Sequence, residues 1–138
     1  AILLCLLAKK LQPNIQVIVD LPFGNNIEHL FNAGVDEVIC GEQFCSMLTA
    51  SALINEGITS FYREILSTRY GNEFYNAKFS SGYWGMTFLH AMESIKEKRG
   101  AILLAIMRGS HIITNPHFLI IEKDDVGVVL SEGKIEEL

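Results

Sequence analysis

The sequence predicts an α/β lobe built on parallel strands, followed by a smaller α+β lobe. Three observations lead there. Two short β-branched runs, Ile15 to Leu21 and Val35 to Cys40, alternate with helical segments, as the strands of a parallel sheet do. Between Gln43 and Ser67 the apolar residues hold helical spacing across a break at Asn55-Glu56-Gly57, which gives two consecutive helices. Beyond Tyr70-Gly71-Asn72 that order ends, and Phe74, Ala77 and Phe79 read as a strand that starts something new.

Taken in order, Ala1 to Leu11 is a buried or interface helix, apolar almost all round, with Lys9 and Lys10 suited to the negative end of its dipole and Pro13 to stop it. Ile15 to Leu21 follows as a strand buried on both faces. After the turn Pro22 to Asn26, Asn25 and Glu28 have the spacing of a capping box for a short helix carrying Ile27, Leu30 and Phe31, which Gly34 closes. Val35 to Cys40 is then the second strand of a right-handed βαβ unit. Past a boundary near residues 67 to 72, Trp84 to Lys98 is an amphipathic helix with Phe88, Leu89, Met92 and Ile95 on one face and Gly100 as its stop. Ala101 to Met107 and His111 to Thr114 form a hairpin about Arg108-Gly109-Ser110. Val126 to Leu130 is the last strand, after the Asp124-Asp125 turn, and Lys134 to Leu138 is expected as a frayed helical end.

Composition narrows the function. The 138 residues allow one domain or two very small lobes. Apolar residues make up 49% and charged residues 20%, and the mean hydropathy is +0.27, so apolar surface is expected to stay exposed. The net charge of −5 argues against a protein held on nucleic acid by phosphate contacts. The N-terminal apolar run Ala1 to Ala8 is far short of the roughly 20 residues of a membrane span, so direct membrane insertion is not expected. Cys5, Cys40 and Cys45 have neither CxxC spacing nor an even count, which signals no disulfide framework and fits a reducing cytoplasm. The start inside a helix-like segment, with no methionine, reads as that of an excised fragment.

Chemical signatures are few. The chain lacks GxSxG, P-loop, HExxH, EF-hand and GxGxxG patterns, so no enzyme is expected. His29, His90, His111 and His117 are scattered without metal-ligand spacing, and Trp84 reads as a core or interface residue. Asp124 and Asp125 are neighbours that make a turn more naturally than an acid/base pair. Asp20 ends a parallel strand, where ligands of open α/β sheets collect, and is the candidate cofactor-binding residue, although a solvated loop carboxylate is the simpler reading. Glu56, beside Gly57 at the helix bend, is an acidic group at a hinge-like position and reads first as a helix-terminal residue.

Residues 8 to 41, AKKLQPNIQVIVDLPFGNNIEHLFNAGVDEVICG, carry a basic helix end, Leu11-x-Pro13-Asn14, a strand, a short helix and then Ala33, Gly34, Asp36, Val38 and Ile39. This run resembles the second half of the nucleotide-binding lobe of RCK domains, also called KTN or TrkA domains, which regulate potassium channels. LLAIMRGSHIITNP (residues 103 to 116) and DDVGVVLS (124 to 131) are similar to the strands of the TrkA-C lobe, and Gly71-Asn72-Glu73-Phe74-Tyr75 resembles RCK domains of large-conductance, ligand-gated potassium channels.

The resemblance implies a partial Rossmann-like TrkA-N lobe over residues 1–42, a crossover helix pair over 43–70 and a TrkA-C lobe over 71–138. It implies a cytoplasmic, oligomeric gating domain, a dimer unit in a ring, joined to a membrane pore domain upstream in the same chain. Phe44, Met47, Leu48, Phe61, Tyr62 and Ile65 are the expected interface residues and Gly57 the expected hinge. The family's glycine-rich turn would lie before residue 1, so a nucleotide such as NAD or ADP is implied for the intact domain and not for this fragment alone. Some calcium-gated members use carboxylates at two places. Glu56 falls at the first, and Ser80-Ser81-Gly82 at the second offers none. The resemblance also admits a regulatory subunit of a potassium uptake transporter, and, from another class, a fragment of a nicotinamide-dependent dehydrogenase.

Overall fold

The computed structural model describes residues 2–22, 24, 27–67 and 71–138. The chain divides into two compact units, Ala1–Thr59 and Ser60–Leu138.

The first unit runs α1 (Ile2–Leu11), β1 (Ile18–Leu21), α2 (Ile27–Asn32), β2 (Glu37–Cys40) and α3 (Gly41–Ile54). β1 and β2 pair in parallel, Ile18 beside Glu37 through Leu21 beside Cys40. Both strands start later than their β-branched runs, because the preceding backbone is already engaged. The Ile15 N–H donates to the Gln12 carbonyl, the Ile15 carbonyl accepts from Lys9 Nζ, and the Val17 N–H donates to the Asp36 carboxylate. Burial on both faces is not found either. Val19 and Leu21 are half-buried against Cys5, Leu30 and Val35, whereas Ile18 and Asp20 face outward from a sheet of only two strands. α1 buries Cys5 and leaves Leu3, Leu4, Leu6, Leu7 and Leu11 exposed. The expected cap at Asn25 lies outside the described residues.

α4 (Ile58–Ile65) leads into the second unit, followed by β3 (Glu73–Lys78), a short 3-10 turn (Ser81–Tyr83), α5 (Phe88–Arg99), β4 (Ile102–Arg108), β5 (His111–Thr114) and β6 (Val126–Ser131). The four strands form one antiparallel sheet in the order β3-β6-β4-β5. Its core gathers Phe88, Ala91 and Ile95 of α5 with Leu103, Ile106, Ile121 and Val129. The expected hairpin is present, with Arg108 opposite His111 and Gly109-Ser110 between them.

Three expectations about this unit are corrected. The helix begins at Phe88 and not at Trp84, because the stretch before it pairs with another segment: Gly85 N–H donates to the Ile121 carbonyl and Ile121 N–H to that of Met86. Thr87 then caps the helix, its hydroxyl accepting from the His90 N–H at 3.4 Å. Leu89 is exposed, and Ala91 takes the place on the buried face assigned to it. The C-terminal end is extended, not helical. Glu137 bridges Lys78 in parallel, with Lys78 N–H donating to Glu136 O at 3.0 Å and Leu138 N–H to Lys78 O at 2.8 Å. A hydrophobic reason underlies this: the Leu138 side chain, 4% exposed, fills space over Gly127, where an added Cβ would lie 3.2 Å from Leu138 Cδ1.

Candidate interaction surface and hinge

α3 grows directly from the end of β2, with Cys40 as its N-cap. It closes where Asn55 N–H donates to the Ser51 carbonyl at 2.9 Å. Two residues later Gly57 takes φ +82°, a left-handed conformation costly for a side chain, and the Ile58 N–H donates to the Asn55 carbonyl at 3.3 Å as α4 starts. Nothing lies within 4 Å of the place where a Cβ at Gly57 would sit. The glycine is therefore required by backbone conformation and not by crowding.

α4 has a clean amphipathic pattern. Ile58, Phe61, Tyr62 and Ile65 recur at i, i+3, i+4 and i+7, with Arg63 and Glu64 turned away from them. Phe61 and Tyr62 hold their rings 6.0 Å apart, tilted by 59°. Neither α3 nor α4 buries a single residue. Phe44 is 58% exposed, Met47 62% and Phe61 51%, while Leu48, Tyr62 and Ile65 are half-buried. Leu53 and Ile54 extend the exposed apolar surface to the end of α3.

The candidate ligand residues are less well equipped. Asp20 is exposed at the carboxyl end of β1. Beside the strand ends a recess of about 260 Å³ is lined by Pro22, Gly24, Cys40, Glu42, Gln43 and Ser46. Among the described residues its lining has one carboxylate, Glu42, and no lysine or arginine, a set poorly suited to a pyrophosphate. Glu56 is exposed, and among the described residues no three His, Cys, Asp or Glu side chains cluster as metal ligands do. Among the described residues, neither Asp20 nor Glu56 is joined by the further groups that a nucleotide or calcium needs. All four histidines are exposed. Trp84 is partly exposed, its indole N–H donating to the Phe79 carbonyl at 3.3 Å.

Two ion pairs escape sequence reading. In the first unit Lys9 Nζ donates to Asp36 at 2.7 Å, and Asp36 also accepts from Val17 N–H at 2.7 Å. These bonds, Lys9 first, hold the Asp36 carboxyl below its ordinary range. In the second unit Asp125, 2% exposed, receives Arg108 Nε at 2.8 Å and Nη2 at 2.7 Å, together with the Glu122 N–H at 2.8 Å. Arg108 further donates to the Ile120 carbonyl and pairs with Glu122, both at 2.8 Å. The guanidinium outweighs the cost of burial and lowers the Asp125 carboxyl's affinity for protons. The available signal was an arginine before a tight turn and an aspartate entering the neighbouring strand. Among the described residues, no helix is long and apolar enough to cross a membrane.

No family model matches the chain. A curated relative, Potassium channel protein 1 of Methanocaldococcus jannaschii, is 29% identical over 115 residues, which cover 83% of this chain and 34% of that protein. The human SLO3 gating ring superposes with a TM-score of 0.77 at 18% identity, over 96% of this chain and 29% of that one. The GsuK channel bound to NAD aligns over 96% of this chain and 23% of its own, at 18% identity and a TM-score of 0.47. The chain thus spans about a third of the length of the potassium channel protein that it matches. Its fold matches part of a potassium-channel gating ring and its sequence is similar to part of a potassium channel protein, as the resemblance to RCK domains implies.

Proposed function

We propose that this chain is part of a cytoplasmic, non-enzymatic gating domain of a potassium channel. It assembles with copies of itself and passes a change in domain geometry to a pore. The observation that carries this reading is the pair α3 and α4, two consecutive helices that bury no residue and are joined at the left-handed Gly57, in a chain with the fold of a gating ring. Apolar helix faces of this extent are partner surfaces. In this reading β1 and β2 are the second half of a Rossmann-like sheet, residues 43–70 the crossover and residues 71–138 the TrkA-C lobe.

Phe44, Met47, Leu48, Phe61, Tyr62 and Ile65 pack against a second copy, and Gly57 absorbs the change in angle between the helices. A ligand that binds one geometry better shifts the population of the ring toward it. Asp20 and Glu56 are the residues through which this piece would meet a nucleotide or a divalent ion completed by other segments. Static and dynamic light scattering test assembly: the unmodified chain is expected at dimer mass or above and Phe61→Asp at monomer mass. A monomer in both cases overturns the interface.

A further inference from the structure

We propose that the concavity at the C-terminal end of α5 binds a small phosphate-bearing molecule. The recess has a volume of about 520 Å³, within the range of small-ligand sites. Among the described residues Lys96, Arg99 and Lys134 line it against one lining carboxylate, Glu132, with Glu136 paired to Lys134, in a chain whose net charge is −5. Cations at a helix end complement its dipole wherever they point, so position along α5 alone explains nothing. Convergence is the informative feature. Lys98 turns away to the Tyr83 ring, 5.8 Å from its centre, while Lys96 and Arg99 line the recess and Lys134 reaches it from beyond β6.

Their donors are only partly used. Lys96 Nζ gives one bond to the Gly100 carbonyl at 3.0 Å, which leaves two of its hydrogens. Lys134 is held by Glu136 at 2.6 Å, and Arg99 makes no ion pair among the described residues. Gly100 and Gly133 belong to the wall, and nothing lies within 4 Å of a Cβ at either, so the recess is sterically open there; the Gly100 N–H is already given to the Lys96 carbonyl, so side-chain cations and not the backbone must hold an anion. Among the described residues, the lining has no aromatic ring on which a base could stack. Planar guanidinium and paired ammonium groups suit phosphoryl oxygens, and Glu132 and Asn72 can serve hydroxyl groups beside them.

The site lies within the second unit and stands independently of the gating reading. Calorimetric titration of the full chain at low salt, with inorganic phosphate, pyrophosphate and glucose 6-phosphate as separate arms, tests it. Binding of at least one is expected. Arg99→Glu and Lys134→Glu are expected to weaken it about tenfold or more, Arg99→Gln to weaken it in the same direction, and Lys123→Glu, outside the recess, to leave it unchanged. Heat in the phosphate and pyrophosphate arms alone identifies a bare phosphate site, and heat with the sugar phosphate alone a site that also reads hydroxyls; both support the proposal. No heat in any arm, or affinity that survives Arg99→Glu and Lys134→Glu, overturns it, as does an equal loss with Lys123→Glu.

Discussion

Among the described residues of the second unit, Arg108 and Asp125 form the most heavily bonded side-chain pair. Asp125 is enclosed and Arg108 keeps about a third of its side chain in water, so removing the carboxylate strands a half-buried cation. Asp125→Asn is expected to cost about 3 kcal/mol of unfolding free energy, at the lower end for a broken buried pair because Arg108 retains solvent and Glu122. Urea unfolding followed by circular dichroism measures this. The pH dependence follows from the same bonds. The Asp125 carboxyl titrates below its ordinary 3.8 in the folded chain, so the unfolded chain takes up its proton first. The pair's contribution is complete above that value and is lost as pH falls through the depressed one. The gap between the native chain and Asp125→Asn should therefore shrink as the pH drops from about 5 toward 3. A gap that stays constant would remove the charge from the explanation.

Among the elements, those defined by short-range pattern were readable and those defined by remote partners were not. The period of α4, the Gly100 stop of α5 and the Arg108-Gly109-Ser110 hairpin are local, and each stands where its residues put it. The start of α5 was misplaced, since Gly85 and Met86 bond to Ile121, a residue more than thirty positions away. The C-terminal segment was misread for a similar reason. Its helical composition yields to a groove beside β3 that only the folded sheet provides. Of the candidate site, the apolar faces of α3 and α4 were legible through their spacing. The cations around the end of α5 were not, because Lys134 meets Arg99 only through the antiparallel sheet. The docking of this terminal strand also carries a prediction. A Cβ at Gly127 would stand 2.9 Å from both Leu103 Cδ1 and Phe79 Cζ, so Gly127→Ala is expected to cost about 2 kcal/mol through overpacking. Thermal unfolding measures the loss, and a neutral result would mean that these side chains give way freely.

At the scale of the whole molecule the two units differ in what holds them. The first closes two strands and two short helices over Cys5, Leu30 and Val35, whereas the second buries Phe88, Ile95, Leu103, Ile106, Ile121 and Val129 beneath four strands. Apolar burial is the main stabilising term, so the first unit should open at lower free energy than the second. In hydrogen exchange the amides of β1 and β2 are expected to exchange before those of β4 and β6. Equal protection in both sheets would overturn this ranking. Trp84 gives that asymmetry an optical side: the sequence holds a single tryptophan, and its indole is anchored to the Phe79 carbonyl in the firmer half. The chain carries its own fluorophore for one unit, and the colour of its emission follows the second sheet without any attached dye.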